Sequence, residues 1–350
     1  MFARSILIAG VQSNIVDEVI AASDYSLEHY GLGSKTRVWL SITARAGGGN
    51  WCLPVLVIRG SRPGPRLTVL GGIHGDEYDG PEVIHKLFGS LSAVDLCGTL
   101  VMVPVCNVPA YEACRRTSPI DGANMARVFP GDVGGTITQQ LAYWIGELFI
   151  RGAGALVDIH SGGVAYDLPT LVGCQYGENL LDERCIEIAR AFGAPVLWLH
   201  PGPMPPGRTL SAAQTFGVPA VYTEAAGGGG VSHEVLACFV RGVNNVMRYL
   251  GMASSAVEVI GTTFELVGGG NLDVMITAPC AGHFRSEVAL MEAVVSGQRI
   301  GAVYDLGGRE VAPLYANRDG VVVCLRRLHR VDAGDGVFHI TGVMGSGNGM

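Results

Sequence analysis

A chain of 350 residues exceeds the size of a comfortable single core, so one large domain with a smaller companion is the expected organisation. Only 16% of the residues are charged, against roughly 25% in an average globular protein, and 48% are hydrophobic; such a chain buries a large core and is expected to bury further surface against a copy of itself as a homo-oligomer. The formal net charge of -7, without a long basic block, excludes an electrostatic footprint for nucleic acid and points to a small-molecule partner; no apolar run approaches the roughly 18 residues of a membrane helix.

The opening MFARSILIAGVQSN has a short apolar run but no small-residue cleavage pattern, and is read as mature cytoplasmic sequence. Nine cysteines without a C-x-x-C pair indicate neither a disulfide framework nor a thiolate zinc site, and fit a reducing compartment. Residues 35–46 (KTRVWLSITARA) partly alternate apolar and polar positions and read as a half-buried strand; 51–59 (WCLPVLVIR) read as another. Residues 66–73 are almost wholly apolar and rich in β-formers, which predicts a central strand covered on both faces and ending at His74. Pro81 suits a first helical turn, and 82–91 carry a helical apolar spacing.

Residues 99–106 (TLVMVPVC) are the next buried strand. The stretch 110–135 reads as a long irregular loop holding Arg115, Arg116, Asp121, Asn124 and Arg127; a loop of that length with such a content favours function. A helix is expected over 138–150, capped by Thr136 or Thr138. Then come a strand at 155–159 leading to His160, a helix at 179–192, a strand at 195–199, a short helix at 211–216, a strand at 218–223 leading to Glu224, and a helix at 234–250. This alternation predicts an α/β domain over 1–255 with a mixed, mostly parallel sheet flanked by helices. From 256 to 350 short β-like pieces with frequent glycine predict a smaller all-β domain.

Three strand-like runs each hand over a metal-capable or basic side chain: His74 with Glu77, then His160, then Glu224. Sites in open α/β sheets form beyond the carboxyl ends of strands, so the four groups can share one cleft. Two histidines and a glutamate leave one position open, which is the arrangement of a catalytic zinc site. Glu224 is the candidate base, and Arg116 and Arg127 are candidates for stabilising an oxyanion and gripping a carboxylate, with Asn124 beside them as a substrate-binding candidate. The plain readings stand alongside: an H-x-x-E pair arises readily by chance, and Glu224 on its own also reads as an ion-pair partner. Asp158, expected from strand alternation to point away from His160, reads as a buried structural group or a partner behind a ligand. Arg115 reads as a solvated charge, and His85, His200, His233, His283, His329 and His339 as surface or packing residues; Cys106 and Cys174 read as inert buried thiols. Tyr166, Asp167 and Tyr222 are candidates for closing the pocket.

The pieces GGIHGDEYDGP, RRTSPIDGANMARVFPG, DIHSGG and TEAAGGGG, in this order, resemble the succinylglutamate desuccinylase/aspartoacylase family of zinc-dependent hydrolases, related to zinc carboxypeptidases, and in particular its subgroup of N-acetyl-diaminobutyrate deacetylases. The likeness spans residues 51–250 and extends to that family's appended β domain. It implies a zinc carboxypeptidase-like fold, one Zn2+ per chain held by His74, Glu77 and His160, and Glu224 as general base and acid. It also implies that Arg116 polarises the scissile carbonyl and Arg127 holds a substrate carboxylate. One position departs: Ala126 stands where such proteins have asparagine before the second arginine, and a methyl group donates no hydrogen bond. The β appendage also resembles lipoyl-type folds, but no lysine follows Lys86, which excludes a swinging-arm carrier and leaves oligomerisation or covering of the site mouth. The activity expected is removal of an acyl group from a small N-acylated amino acid or related compound. The alternatives are a carboxypeptidase-like hydrolase of another small amide or peptide, and a metal-binding protein without catalysis.

Overall fold

The computed structural model describes residues 16–258 and 261–344. The opening segment read above as mature sequence lies, but for its continuation into the first strand, outside the described residues.

In chain order the first part contains β1 (Val16–Ala21), β2 (Ser34–Ala44), β3 (Asn50–Arg59), β4 (Arg62–Leu70), α1 (Asp79–Ser90), β5 (Cys97–Val103), α2 (Val108–Glu112), α3 (Ile137–Ile145), β6 (Ala155–Ile159), β7 (Tyr166–Asp167), β8 (Leu171–Tyr176), α4 (Leu180–Phe192), β9 (Val196–Pro201), α5 (Thr209–Thr215), β10 (Ala220–Glu224) and α6 (His233–Tyr249). The strands associate in the order β2-β3-β5-β4-β6-β10-β8-β9, with β4, β5, β6 and β10 mutually parallel and β3 and β8 entering antiparallel. Strands β4 and β6 are apolar where they cross the centre because both faces are covered. On one face α1, α4 and α6 contribute Leu87, Phe192 and Phe239 to a core with Val69 and Val157; on the other α3 and α5 contribute Leu141 and Ala213 to a core with Leu70 and Leu156. This is a mixed sheet with helices on both faces, consistent with the zinc carboxypeptidase-like fold.

Beyond it lie β11 (Phe264–Val267), β12 (Ile276–Thr277), β13 (Gly282–Ser286), β14 (Ala293–Val294), β15 (Arg299–Tyr304), β16 (Glu310–Tyr315), β17 (Gly320–Arg326), β18 (Arg330–Val331) and β19 (Gly336–Val343). Strand β11 pairs with β9 on one side and β19 on the other, so the large sheet continues without a break into the carboxyl-terminal strands. A second sheet, β16-β15-β13-β18, closes over its own core of Phe284, Ile300, Val322 and Phe338.

Several boundaries differ from the sequence reading. Strand β4 ends at Leu70 and not Ile73, because residues 71–75 turn to meet the next loop: Cys106 and Asn107 N–H groups donate to the Gly71 and Gly72 carbonyls. The helix expected to Ile150 keeps α geometry only to Ile145 and finishes in a wider π turn, Gly146–Ile150. The loop expected over 110–135 begins inside α2 and contains a 3-10 turn, Met125–Arg127. Strand β8 has no counterpart in the sequence reading, since Leu171 and Val172 run into Gly173 and show no alternation. No helix among the described residues is long and apolar enough to cross a membrane.

Candidate metal and acyl-transfer site

Strands β4, β6 and β10 lie side by side and parallel, so their carboxyl ends open at one edge of the sheet. The turn after β4 carries His74 and Glu77, the residue after β6 is His160, and β10 ends in Glu224. Glycine makes the first turn possible. A Cβ on Gly75 would sit 2.0 Å from the Ala110 backbone carbon, and Gly72 has φ +59. The Gly75 N–H donates to the Arg115 carbonyl, which ties this turn to the loop bearing Arg116.

His74, Glu77 and His160 are 3%, 2% and 9% exposed, and one ligand atom from each lies within 4.8 Å of the others. Glu77 is the hub. Its Oε1 is 2.7 Å from His74 Nδ1 and accepts from Arg116 at 2.9 Å, while its Oε2 is 2.8 Å from His160 Nδ1 and accepts from the Ser161 N–H at 3.3 Å. The far side of each imidazole is held as well: His74 Nε2 lies 3.1 Å from Asn124 Oδ1, and His160 Nε2 lies 3.1 Å from Asp158 Oδ2.

Those outer contacts test whether a cation fits. Asn124 Oδ1 accepts from the Ala126 backbone N–H at 2.9 Å, so the atom facing His74 is an acceptor and His74 Nε2 must carry the hydrogen. A neutral His74 then turns the lone pair of Nδ1 directly at the Glu77 carboxylate, and two acceptors at 2.7 Å call for positive charge between them. His74, Glu77 and His160 would hold a divalent metal that meets that demand, and neutral-nitrogen plus carboxylate donors suit zinc. The electrostatics favour the ligand form at His74 and Glu77 and the protonated form at His160, whose proton a metal would displace. Burial lowers the His74 pKa, and the Arg116 guanidinium lowers it further against the pull of Glu77. Burial raises that of Glu77, but the two imidazoles outweigh it and hold the carboxyl well below the usual range. For His160 burial works downward, and the Asp158 and Glu77 carboxylates prevail, holding it well above the ordinary value.

Asp158 does not point away from His160. The two residues are separated by one, so along extended backbone they share a face, and Asp158 takes the position behind the imidazole. Its Oδ2 also accepts from the Thr209 hydroxyl.

A cleft of about 90 Å3 opens beside the cluster. Glu224 lines it, with Oε2 buried and without a hydrogen-bond partner. Burial, reinforced by the nearby Glu77 charge, pushes the Glu224 carboxyl up to about 8, against the opposing pull of His160 and Arg116. Arg116 and Arg127 line the same cleft, and Ala126 presents its methyl group there. The Arg127 guanidinium is engaged from across the molecule: its Nε and NH2 donate to the two oxygens of Asp273 at 2.9 and 2.7 Å. Asn124 spends its oxygen on His74 and Ala126.

Three residues of the cleft and its rim were not singled out by the sequence. Arg208 precedes α5 and donates to Asn271, Asp273 arrives from the carboxyl-terminal part, and His200, read as a surface or packing residue, lines the cleft at 3% exposure. Position at the end of β9 was the available signal for His200; Arg208 and Asp273 had none. Tyr222 also lines the cleft, whereas Tyr166 and Asp167 form β7 and pair with β17. Arg115 is exposed, and Cys106 and Cys174 are fully buried.

A sequence model of the succinylglutamate desuccinylase/aspartoacylase catalytic domain matches residues 63–250. The N-alpha-acetyl-L-2,4-diaminobutyric acid deacetylase of Halomonas elongata is 33% identical over 297 residues, covering 84% of this chain and 86% of that protein. Among solved structures, a succinylglutamate desuccinylase from Silicibacter sp. TM1040 superposes with TM-score 0.80 at 28% identity, covering 88% of this chain and 94% of its own. The product-bound ectoine utilization protein EutE (DoeB) from Ruegeria pomeroyi gives TM-score 0.80 at 28% identity, over 88% of this chain and 95% of its own. With its three parallel strand ends converging on a His-Glu-His cluster and this extent of match, the chain belongs to the succinylglutamate desuccinylase/aspartoacylase family.

Proposed function

We propose that this protein is a zinc-dependent amidohydrolase that removes the acyl group from a small N-acylated amino acid, with N-acetyl-diaminobutyrate as the leading candidate. Family membership and the diaminobutyric acid deacetylase relative support deacylation of an N-acyl amino acid. The observation that carries the mechanism is the Glu224 carboxyl, partnerless at Oε2 and lining the same cleft as His74 and His160; burial and Glu77 push it up to about 8, and a dication on the neighbouring cluster would draw it down into the range of a base near pH 7.

His74, Glu77 and His160 would hold the metal. Bound there, zinc supplies Lewis acidity, making a water more acidic and drawing electron density from a carbonyl oxygen. Glu224 takes the proton from the attacking water and returns it to the leaving nitrogen, so one carboxylate serves first as base and then as acid. Arg116 gives NH1 to Glu77, and its remaining N–H groups would stabilise negative charge on the substrate carbonyl oxygen. Arg127 and Arg208, with Ala126 contributing no hydrogen bond, form the side of the cleft suited to a substrate carboxylate.

The test combines metal analysis with a substrate panel. Protein stripped of metal and reloaded with zinc is assayed on N-acetyl amino acids, N-succinyl amino acids and dipeptides. Zinc-dependent release of acetate is expected; preferential cleavage of dipeptides would establish the carboxypeptidase-like alternative, and tight zinc binding with no hydrolysis a non-catalytic one.

A further inference from the structure

The polarity of one cleft wall is dictated by a chain of hydrogen bonds that starts outside the proposed catalytic groups. His200 Nδ1 lies 2.8 Å from the Gly268 carbonyl oxygen. A carbonyl can only accept, so Nδ1 carries the hydrogen. Burial lowers the His200 pKa to about 4, with the Gly268 hydrogen bond opposing and His339 and Arg208 adding, so near pH 7 the ring is neutral and Nε2 has only a lone pair. Nε2 sits 2.8 Å from the Tyr222 hydroxyl, which must therefore donate. A phenol has one proton. With it turned toward His200, the Tyr222 oxygen can offer only lone pairs to anything in the cleft.

The seat of this pair is built for it. A Cβ on Gly173 in the neighbouring strand β8 would lie 2.2 Å from Tyr222 Cε1, and a Cβ on Gly270 would lie 2.5 Å from His200 Cε1. The two rings stack at 5.6 Å and 25° between them. Tyr222 precedes Glu224 by two residues on β10, so both share a face of the sheet, and its direct partner in β6 is Asp158, whose Oδ1 is buried without a hydrogen-bond partner. That wall therefore carries an acceptor-only hydroxyl between the Asp158 carboxylate and the Glu224 carboxyl.

We propose that Tyr222 is a specificity-determining residue whose oxygen accepts a hydrogen bond from a second, cationic amino group on the amine portion of the substrate. This rests on the reading of the site as one for an N-acylated diamino acid and adds the residue that recognises the second amino group. An ammonium suits the wall on both counts, because it is a donor without lone pairs and carries the charge that the Asp158 carboxylate favours. A substrate lacking that group leaves the Tyr222 lone pairs desolvated and unanswered, which is how a polar pocket rejects an apolar analogue.

The test compares Nα-acetyl-2,4-diaminobutyrate with Nα-acetyl-2-aminobutyrate, which lacks the ammonium, on the zinc-loaded wild type and on Tyr222→Phe, with thermal melting to verify folding. Calorimetric binding of free 2,4-diaminobutyrate and 2-aminobutyrate is measured on both proteins. Wild type is expected to prefer the diamino compound in kcat/KM by about 10- to 100-fold, and Tyr222→Phe to lose most of that preference whatever its absolute rate. An unchanged preference in Tyr222→Phe, or no preference in wild type, overturns the inference. If neither compound is hydrolysed, the deacylase reading fails and binding decides this one: diamine binding that weakens on removal of the hydroxyl upholds it, and its absence or insensitivity overturns it.

Discussion

Arg127 and Asp273 form a two-pronged ion pair, Nε to Oδ2 at 2.9 Å and NH2 to Oδ1 at 2.7 Å, between residues 146 positions apart. The side chains are 29% and 55% exposed. The guanidinium edge suited to gripping a substrate carboxylate is thus occupied by a carboxylate of the chain itself. A partly exposed pair contributes no more than about 1 kcal/mol, so Asp273→Ala should scarcely change the melting temperature. It should lower KM severalfold for a carboxylate-bearing substrate with kcat little altered, because it frees the Arg127 fork. Steady-state kinetics on the variant decide this, and a raised KM would assign Asp273 to substrate binding.

Asp158 stands behind His160 and fixes which imidazole nitrogen carries the hydrogen. Asp158→Asn should weaken zinc binding by about 10- to 100-fold, read by competition with a chromophoric chelator. Zinc added to metal-free wild type should raise its melting temperature by mass action, and His74→Ala should abolish that rise.

Glu224→Gln keeps the size of the side chain and removes the proton acceptor. Turnover should fall by about 100- to 10,000-fold while zinc content and KM change little. Equal activity of variant and wild type would exclude Glu224 as the base.

Asp121 reports on the loop that carries the arginines. Its Oδ2 accepts from the Thr138 N–H at 3.0 Å and its Oδ1 from the Thr138 hydroxyl at 2.9 Å, which caps α3 from 17 residues away. Burial acts upward on its pKa, and hydrogen bonds from Thr136, Thr138 and Ala123 more than reverse that, holding the carboxyl at about 2 against 3.8 unperturbed. A carboxyl depressed on folding stabilises the protein above its unfolded pKa, and that contribution is lost as pH falls through the folded value. Asp121→Ala should therefore cost about 1 kcal/mol at neutral pH, a cap-sized loss discounted for solvent exposure, and the difference from wild type should shrink as the pH is lowered from about 4 through about 2. Urea unfolding across that range measures it.

The cluster of His74, Glu77 and His160 was legible in the sequence because its parts carry local signals. Apolar β-forming runs end in His74, His160 and Glu224, and buried parallel strands must deliver the residues at their carboxyl ends to one sheet edge. The order of those strands, β4 next to β6 next to β10, was not legible, since nothing in three apolar runs specifies their neighbours. Asp158 was misdirected by counting alternation one residue short: positions 158 and 160 share a face.

By itself the sequence determined that imidazoles and carboxylates stand just beyond the ends of strand-forming runs, because periodicity and glycine turns are local properties. Only the tertiary structure decided how each is used. Asn124 holds an imidazole by its amide oxygen, Asp273 fills the Arg127 fork, and the Gly268 carbonyl sets through His200 the way the Tyr222 hydroxyl points. Hydrogen-bond polarity passes between groups up to 146 residues apart, so it is a property of which atoms meet, and no spacing along the chain encodes it.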